Sequence, residues 1–169
     1  AVPILSQLLK AEMSEREVRS IAYQIKAARF PAYKDLAGFD FASSEVNEAL
    51  VRQLHRGEFI DGAHNVVALG GPGTGKTHIA TALGVQAVEH HRKKVRFFST
   101  VDLVNALEQE KAMNKAGQLA ERLPPLDLVV LDEAGSEGAR FVRVAAIVVE
   151  RQRDLLAVDA AGGVELLHH

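Results

Sequence analysis

A glycine-rich segment that ends in lysine and threonine, residues 70–77, constrains the fold of this chain more than any other feature. It reads Gly-Gly-Pro-Gly-Thr-Gly-Lys-Thr and satisfies the phosphate-loop pattern G-x-x-x-x-G-K-S/T. Glycines let backbone N–H groups turn inward around phosphate oxygens, the lysine reaches the β- and γ-phosphates, and the threonine hydroxyl ligates magnesium. The segment therefore predicts binding of a nucleoside triphosphate, ATP, with Mg²⁺. The predicted nucleotide-binding residues are Gly70, Gly71, Pro72, Gly73, Thr74, Gly75, Lys76, Thr77 and His78.

The residues on either side of this loop have the pattern of a strand followed by a helix. Residues 65–69 form the short, mostly apolar run typical of a buried parallel strand, and residues 76–89 carry apolar side chains at helical spacing. Such a helix would add its positive N-terminal end to the phosphate site. Strand, loop and helix thus follow in the order that phosphate binding requires.

A second apolar run, residues 126–132, ends in two adjacent carboxylates, Asp132 and Glu133. Asp132 is predicted to hold magnesium beside Thr77, directly or through water. Glu133 is predicted to polarise a water for attack on the γ-phosphate, with Lys76 as the second catalytic residue. Alone, an Asp-Glu pair at a strand end is often a solvated turn; the phosphate loop upstream favours the Walker B interpretation.

The alternation of strands and helices predicts the fold class. A strand at 95–98 and a helix at 101–115 lie between the two apolar runs, so we expect right-handed βαβ crossovers and an α/β P-loop fold, its parallel sheet flanked by helices. A further helix, 45–56, is expected with Ser44 as its cap and Gly57 as its stop. The predicted organisation is an N-terminal helical segment 1–35, a nucleotide-binding domain 36–135 and a divergent tail 136–169.

The N-terminal segment predicts an amphipathic helix over residues 3–30, because apolar side chains recur there at steps of three and four. On the opposite face Arg16, Arg19 and Lys26 form a narrow basic stripe that could bind the phosphate backbone of DNA. Glu12 lies on the same stripe, four residues before Arg16, where such a pair stabilises a solvated helix. The sequence therefore leaves two interpretations of this face open, a solvated helix surface and a DNA-binding surface.

Composition excludes several other classes. A chain of 169 residues with 47% hydrophobic residues can bury one core, and its net charge of −2 creates no global field that would attract nucleic acid. Without cysteine there is no disulfide framework and no thiolate metal site. The basic cluster 90–94 suits the C-terminal end of a helix, with Lys93 and Lys94 as further candidates for DNA contact. Because the longest wholly apolar run is residues 144–149, we expect a cytoplasmic protein with no membrane partner.

Four stretches together resemble a known family. Residues 26–31 (KAARFP), 39–41 (FDF), 75–78 (GKTH) and 129–133 (VVLDE) make the chain similar to the IstB-like ATP-binding proteins. These are AAA+ ATPases that assist insertion-sequence transposases and are related to DnaC-type helicase loaders, and the resemblance covers approximately residues 9–135. It implies ATP-dependent assembly on DNA as a homo-oligomer, an N-terminal segment that grips DNA, and delivery of target DNA to a transposase. It also implies that residues 39–41 lie in a linker near the nucleotide base.

The tail departs from this family. Family members continue after the acidic pair with a strand that ends in a polar sensor, usually Asn, and then with an arginine finger, but the residues after Glu133 contain no Asn and no Thr. Nothing in the sequence pattern identifies one of the tail arginines as an arginine finger. Residues 144–149 predict either a strand or the start of a helix that continues through Leu155 and Leu156. The C-terminal strands of the sheet are therefore expected to be incomplete, as a frameshift or premature end in a transposon gene would leave them. The tail arginines are Arg140, Arg143, Arg151 and Arg153.

Three functions follow from these observations. The first is an ATP-binding helper of IstB type in transposition, and the second is a DnaC-like helicase loader in DNA replication. The third is a hydrolysis-deficient or vestigial nucleotide-binding protein. In each case ATP binding is expected, whereas ATPase turnover is expected to be weak because sensor and finger have no evident residue.

Overall fold

A computed structural model describes residues 2–71, 73–114 and 126–132, together with three later strands. The helices are α1 (Val2–Ala28), α2 (Glu48–His55), α3 (Glu58–Asp61), α4 (Lys76–Glu89) and α5 (Thr100–Ala112). The strands are β1 (Asn65–Leu69), β2 (Val95–Ser99), β3 (Leu128–Asp132), β4 (Ala145–Val148), β5 (Asp154–Asp159) and β6 (Val164–His168). The predicted α/β order of strands and helices up to residue 132 is confirmed.

The strands form one sheet in the order β2-β3-β4-β1-β5-β6. Two pairs are parallel, β2 with β3 and β1 with β5. Strand β4 lies between β3 and β1 and runs antiparallel to both, with Ile147 opposite Val130 on one side and Val66 on the other. The tail therefore supplies three strands, of which only β5 runs parallel to β1. Of the two alternatives for 144–156, the helix is wrong, because Leu155 and Leu156 lie on β5.

Helix α4 is the centre of the hydrophobic core. Ten of its fourteen residues are buried, and the β3 side chains of Leu128 and Val130 are fully buried in the same core cluster. Gly84 in the middle of α4 lets the Phe30 ring approach so closely that a Cβ there would lie 2.7 Å from it. Each large apolar side chain buried in this way contributes about 1.5–3 kcal/mol, so the helix that follows the phosphate loop is rigidly held.

Helix α1 forms where the periodicity predicts it, but most of its apolar face has no neighbour among the described residues. Only its C-terminal turns pack against β2 and α4, where Ala28 is buried and Ile21 and Ile25 are partly buried. Towards the N-terminus, Leu5 and Leu8 are 59% and 62% exposed. Amphipathic spacing thus predicted the helix correctly without predicting how much of it would be covered.

The predicted cap of α2 is wrong. The helix begins at Glu48, and Asn47 is its cap, with the Asn47 side chain accepting a hydrogen bond from the Leu50 amide at 3.1 Å. The Ser44 hydroxyl instead accepts from the Val46 amide at 3.2 Å, which is a local turn that competes with capping. Gly57, with a φ of 80°, ends the helix as predicted and leads into α3.

The basic cluster after α4 is tied to other elements by ion pairs. Arg92 pairs with Glu17 of α1, and Lys93 Nζ lies 2.5 Å from an Asp61 carboxylate oxygen of α3. These contacts hold α1 and α3 against the C-terminal end of α4. Among the described residues, no helix combines the length and apolar character that a membrane span needs.

Candidate nucleotide-binding site

The phosphate loop connects the end of β1 with the start of α4, and its glycines adopt backbone conformations that other residues rarely reach. Gly73 and Gly75 have φ values of 77° and 85°, in the left-handed region, and Gly75 is the N-cap residue of α4. A Cβ at Gly71 or Gly73 would meet no atom within 4 Å. The backbone here is therefore open on the side where a side chain would project, which leaves room for a ligand.

Lys76 extends into the curve of this loop. Its side chain is 9% exposed, and its Nζ donates to the Gly70 and Gly71 carbonyl oxygens at 2.6 and 2.5 Å and to Thr74 Oγ1 at 3.1 Å. Thr74 Oγ1 in turn donates to the Gly71 carbonyl at 2.9 Å. The loop thus concentrates a buried positive charge beside the positive end of a helix, which is the electrostatic requirement for binding a polyphosphate.

Thr77 and Asp132, predicted as magnesium ligands from positions 55 residues apart, are in direct contact. Thr77 Oγ1 donates to Asp132 Oδ2 at 2.9 Å, and Asp132 is only 4% exposed. The Thr100 hydroxyl, at the start of α5, donates to the Asp132 backbone oxygen at 3.2 Å and anchors the end of β3. A hydroxyl and a carboxylate together are the hard oxygen donors that magnesium prefers, so the residues fit the ion.

Two predicted site residues, Pro72 and Glu133, lie outside the described residues. Glu133 directly follows Asp132, the last residue of β3. Within the described ranges, no group of three or more His, Asp or Glu side chains is arranged to hold a metal ion.

The linker before α2 packs against the start of α4. The Phe39 ring contacts the position where a Gly75 Cβ would lie, and it meets the rings of Phe41 and His78 edge to face, with centroids 4.7 and 5.2 Å apart. His78 Nε2 lies 2.8 Å from the Asp35 backbone oxygen. The structure therefore links the last predicted nucleotide-binding residue to the Phe-Asp-Phe stretch.

A cavity of about 500 Å³ opens between this linker and the phosphate loop. Residues 38–40 and 43–46 form one wall, and residues 73–75 with His78 form the other. Its volume is within the range of pockets that hold small ligands. Sequence reasoning missed the wall at 43–46. Its signal was the turn begun by Asp40, whose Oδ1 accepts from the amides of Ala42 and Ser43 at 3.1 and 3.3 Å. A hydrogen bond from the Ser43 side chain lowers the pKa of Asp40 most, and the amides of Ser43 and Ala42 lower it further.

Strand β4, which lies between the two motif-bearing strands β1 and β3, begins at this site with a small residue. In β4, Ala145 is opposite both Ala68 of β1 and Asp132 of β3. Because β4 is antiparallel, its N-terminal end lies at the edge where the parallel strands have their carboxyl ends. Among the described strands, the position between β1 and β3 at this edge is therefore alanine and not a polar residue.

The two arginines of the predicted basic stripe are neutralised locally. Arg16 Nε lies 2.9 Å from Glu12, and Arg19 Nη2 lies 3.1 Å from Glu15, both as i,i+4 pairs on α1. Lys26, the third member, is exposed and has no ion pair with a described carboxylate. The stripe is on the surface, but its net positive charge is smaller than the arginines alone indicated.

Comparison with known proteins gives one consistent result. Residues 2–149 match the family model of the IstB-like ATP binding protein. The chain is 36% identical over 132 residues to the insertion sequence IS5376 putative ATP-binding protein of Geobacillus stearothermophilus, covering 78% of this chain and 52% of the relative. For the insertion sequence IS21 putative ATP-binding protein of Pseudomonas aeruginosa the identity is 35% over 132 residues, with 78% and 49% covered. A putative ATP-binding protein in an insertion sequence of Mycobacterium tuberculosis is 33% identical over 135 residues, with 79% and 53% covered. The chain spans about half the length of the curated relatives it matches.

Proposed function

The chain belongs to the family of IstB-like ATP-binding proteins, and we propose that it binds ATP with Mg²⁺ and acts as a helper protein in DNA transposition. The observation that carries the proposal is the 2.9 Å contact between Thr77 and Asp132, which joins the two motifs of a nucleotide site at one edge of the sheet. The buried Lys76 ammonium inside the loop supports it.

In this proposal the triphosphate lies along the phosphate loop. Lys76 exchanges the Gly70 and Gly71 carbonyl oxygens for β- and γ-phosphate oxygens, which are better acceptors because they are charged. Thr77 and Asp132 would hold the magnesium ion, which would supply neutralisation of the charge on the phosphate oxygens. The amides at the start of α4 add further donors.

The cavity beside the loop is proposed to hold the adenine and ribose. It begins at Gly73–Gly75, where the phosphates end, and its far wall is the linker that includes Phe39 and Asp40. The contact of Phe39 with Gly75 means that a base seated there would touch the same residues that shape the loop. His78 holds this wall in place through the Asp35 carbonyl.

Hydrolysis is proposed to be slow in the isolated chain. Glu133 is the residue we propose to orient the attacking water, because it directly follows Asp132, the last residue of β3. An arginine finger is worth about 10³ to 10⁵ in rate in related phosphoryl-transfer sites, and the described residues offer no candidate for it. Ala145, at the N-terminal end of β4, likewise has no polar side chain that could act as a sensor. We therefore propose that turnover stays weak at every protein concentration, also where chains associate as a homo-oligomer.

DNA and a transposase are the proposed partners. The relatives named above are insertion-sequence ATP-binding proteins, which favours transposition over the helicase-loader alternative. Helix α1 supplies the proposed DNA-binding surface, because it carries exposed basic side chains and only its last turns are packed against the rest of the chain. Such binding would be tolerant of sequence and strongly dependent on salt.

The first experiment measures the thermal shift that ATP with Mg²⁺ produces in the whole chain. At a hundred times its dissociation constant, ATP should stabilise the wild type by about 2.7 kcal/mol. Lys76→Ala should abolish the shift, and Asp132→Asn should remove its dependence on magnesium. Lys94→Ala, an exposed change outside the site, is the control and should keep the full shift. An unchanged melting temperature of the wild type in saturating ATP would overturn the proposal.

The second experiment measures ATP turnover against protein concentration, with and without DNA. We expect weak turnover at every concentration. A rate that rises cooperatively and is lost in Glu133→Gln would show that a neighbouring subunit completes the site, and the slow-hydrolysis part of the proposal would then be wrong.

A further inference from the structure

We infer that Arg29 and Arg96 form a binding site for the phosphate backbone of DNA at the C-terminal end of α1. The inference rests on the proposed DNA binding and goes beyond it, because it moves the main contact away from the Arg16 and Arg19 stripe. Arg96 comes from the edge strand β2, so the pair joins the N-terminal helix to the nucleotide-binding sheet.

The end of α1 places Arg96 beside the backbone segment that carries Arg29. Arg96 Nη1 donates to the Ala27 backbone oxygen at 2.8 Å, and Arg29 follows Ala27 by two positions. The Arg96 guanidinium lies 5.4 Å from the Phe98 ring centroid, on the same face of β2. Burial lowers the pKa of Arg96, and the positive charge of Arg29 lowers it further.

Three arginines in the described part of the chain have no ion pair with a described carboxylate: Arg29, Arg56 and Arg96. Arg56 lies at the end of α2, whereas Arg29 and Arg96 both lie at the end of α1. Four arginines each have a glutamate as an ion-pair partner: Arg16, Arg19, Arg52 and Arg92. Neither Arg29 nor Arg96 has an ion pair with any described carboxylate, and the Arg96 Nε is buried without a hydrogen-bond partner there. A second positive charge near the partly buried Arg96 is unfavourable unless an anion joins the two. Paired guanidinium groups suit phosphate oxygens in particular.

A purely structural explanation accounts for only one of the two residues. Arg96 donates to a carbonyl at the end of α1 and is favourably placed against the negative end of the helix dipole. Arg29, however, is exposed and its side chain makes no hydrogen bond or ion pair within the described residues. Its φ of 56° is a left-handed conformation, in which glycine would be more stable. Lys26, exposed one turn earlier, extends the positive surface towards the predicted stripe.

The test measures binding of the full chain to a labelled DNA duplex over a range of salt concentrations, in the presence of ATP. Arg29→Gly and Arg96→Gln should each flatten the logarithmic salt slope by about 0.9, and the double variant by about 1.8, equally for unrelated DNA sequences. Arg56→Gln removes the same charge from an exposed position at the end of α2 and should change nothing.

A second measurement separates binding from folding. Because glycine relieves the left-handed strain, Arg29→Gly should raise the melting temperature of the free protein by roughly 2–4 °C while it weakens DNA binding.

If the wild type binds DNA and both site variants bind equally well, the inference is wrong and the proposed DNA binding stands. If Arg56→Gln flattens the salt slope as much as the site variants do, the effect is not specific to this site and the inference is also wrong. If the wild type binds no DNA, the inference and the proposed DNA binding are both wrong. A drop in melting temperature in both variants that parallels the loss of binding would assign the pair a structural role only.

Discussion

Helices α4 and α5 have nearly the same length and were predicted from the same kind of periodicity, yet they are packed in opposite ways. Ten of the fourteen residues of α4 are buried, whereas none of the thirteen residues of α5 is buried. On α5, Val101, Val104 and Leu107 are 46–54% exposed. A helical pattern therefore predicts that a helix forms but not how tightly the surrounding chain encloses it.

The composition of the two helices explains the difference. Helix α4 combines apolar side chains with three alanines and Gly84, so the sheet and α1 can approach it closely on several sides. Helix α5 carries Asp102, Glu108 and Lys111, and these charged side chains are exposed, since they must stay near water. The helix that carries Lys76 and Thr77 is thus the one that packing holds in place, as a phosphate site requires.

The largest expected effect compares leucines from these two environments. Leu128→Ala should cost about 2–5 kcal/mol of unfolding free energy, because Leu128 is fully buried beneath α4 and its loss leaves a cavity. Leu107→Ala, on α5 at 49% exposure, should cost about 0.5 kcal/mol or less. Urea unfolding of both variants measures the difference. Similar costs would mean that α5 is enclosed as tightly as α4.

A somewhat smaller effect is expected from the glycines of the phosphate loop. Gly75→Ala should destabilise the fold by about 1–3 kcal/mol, because Gly75 has a φ of 85° and its Cβ would collide with the Phe39 ring. Gly71→Ala is the matched control and should be close to neutral, since its Cβ meets nothing within 4 Å. Adding Phe39→Ala to Gly75→Ala should recover only the part due to the collision. Thermal unfolding distinguishes the two contributions, and full recovery would show that the backbone conformation costs nothing.

A pH effect should be visible at the opposite end of α4. Burial lowers the pKa of His55 below its ordinary value near 6.5, and the charges of His90, His91 and Arg52 lower it further. The unfolded chain therefore binds this proton more tightly than the folded one. Above about pH 6.5 the stability is unaffected, and it decreases as the pH falls through 6.5 towards the lower folded pKa.

Urea midpoints of the wild type and His55→Gln at pH 7.5 and 5.5 measure this contribution. The variant should lose less stability on acidification than the wild type. Equal losses would show that the environment of His55 does not favour its neutral form.

The smallest effect is expected on the exposed part of α1. Glu12→Gln breaks the ion pair with Arg16, whose side chain is 75% exposed, and should cost only about 0.2–0.5 kcal/mol. In 1 M salt, where the screening length is about 3 Å, the difference from the wild type should largely disappear. A cost that persists in high salt would indicate that this end of α1 is packed against something and not solvated.

Local sequence was sufficient for the elements that carry the motifs. The bounds predicted for β1 and α4 were those observed, 65–69 and 76–89, because glycines and a helix-forming run define the loop between them. The contact of Thr77 with Asp132 was anticipated from the motifs and is present at 2.9 Å. Capping was less predictable, because Ser44 and Asn47 are both good caps and only the three-dimensional course of the linker selects Asn47.

What the sequence alone determined, then, is the phosphate loop, its strand and helix, and the family to which they belong, since each depends on residues that are close together in the chain. Tertiary structure decided the antiparallel insertion of β4 between β1 and β3, the neutralisation of Arg92 by Glu17, and the placement of Arg96 against the end of α1. These contacts join residues far apart in the sequence, so no local periodicity encodes them. They follow from the burial of apolar surface by the whole chain, which fixes where each charged side chain finds its partner.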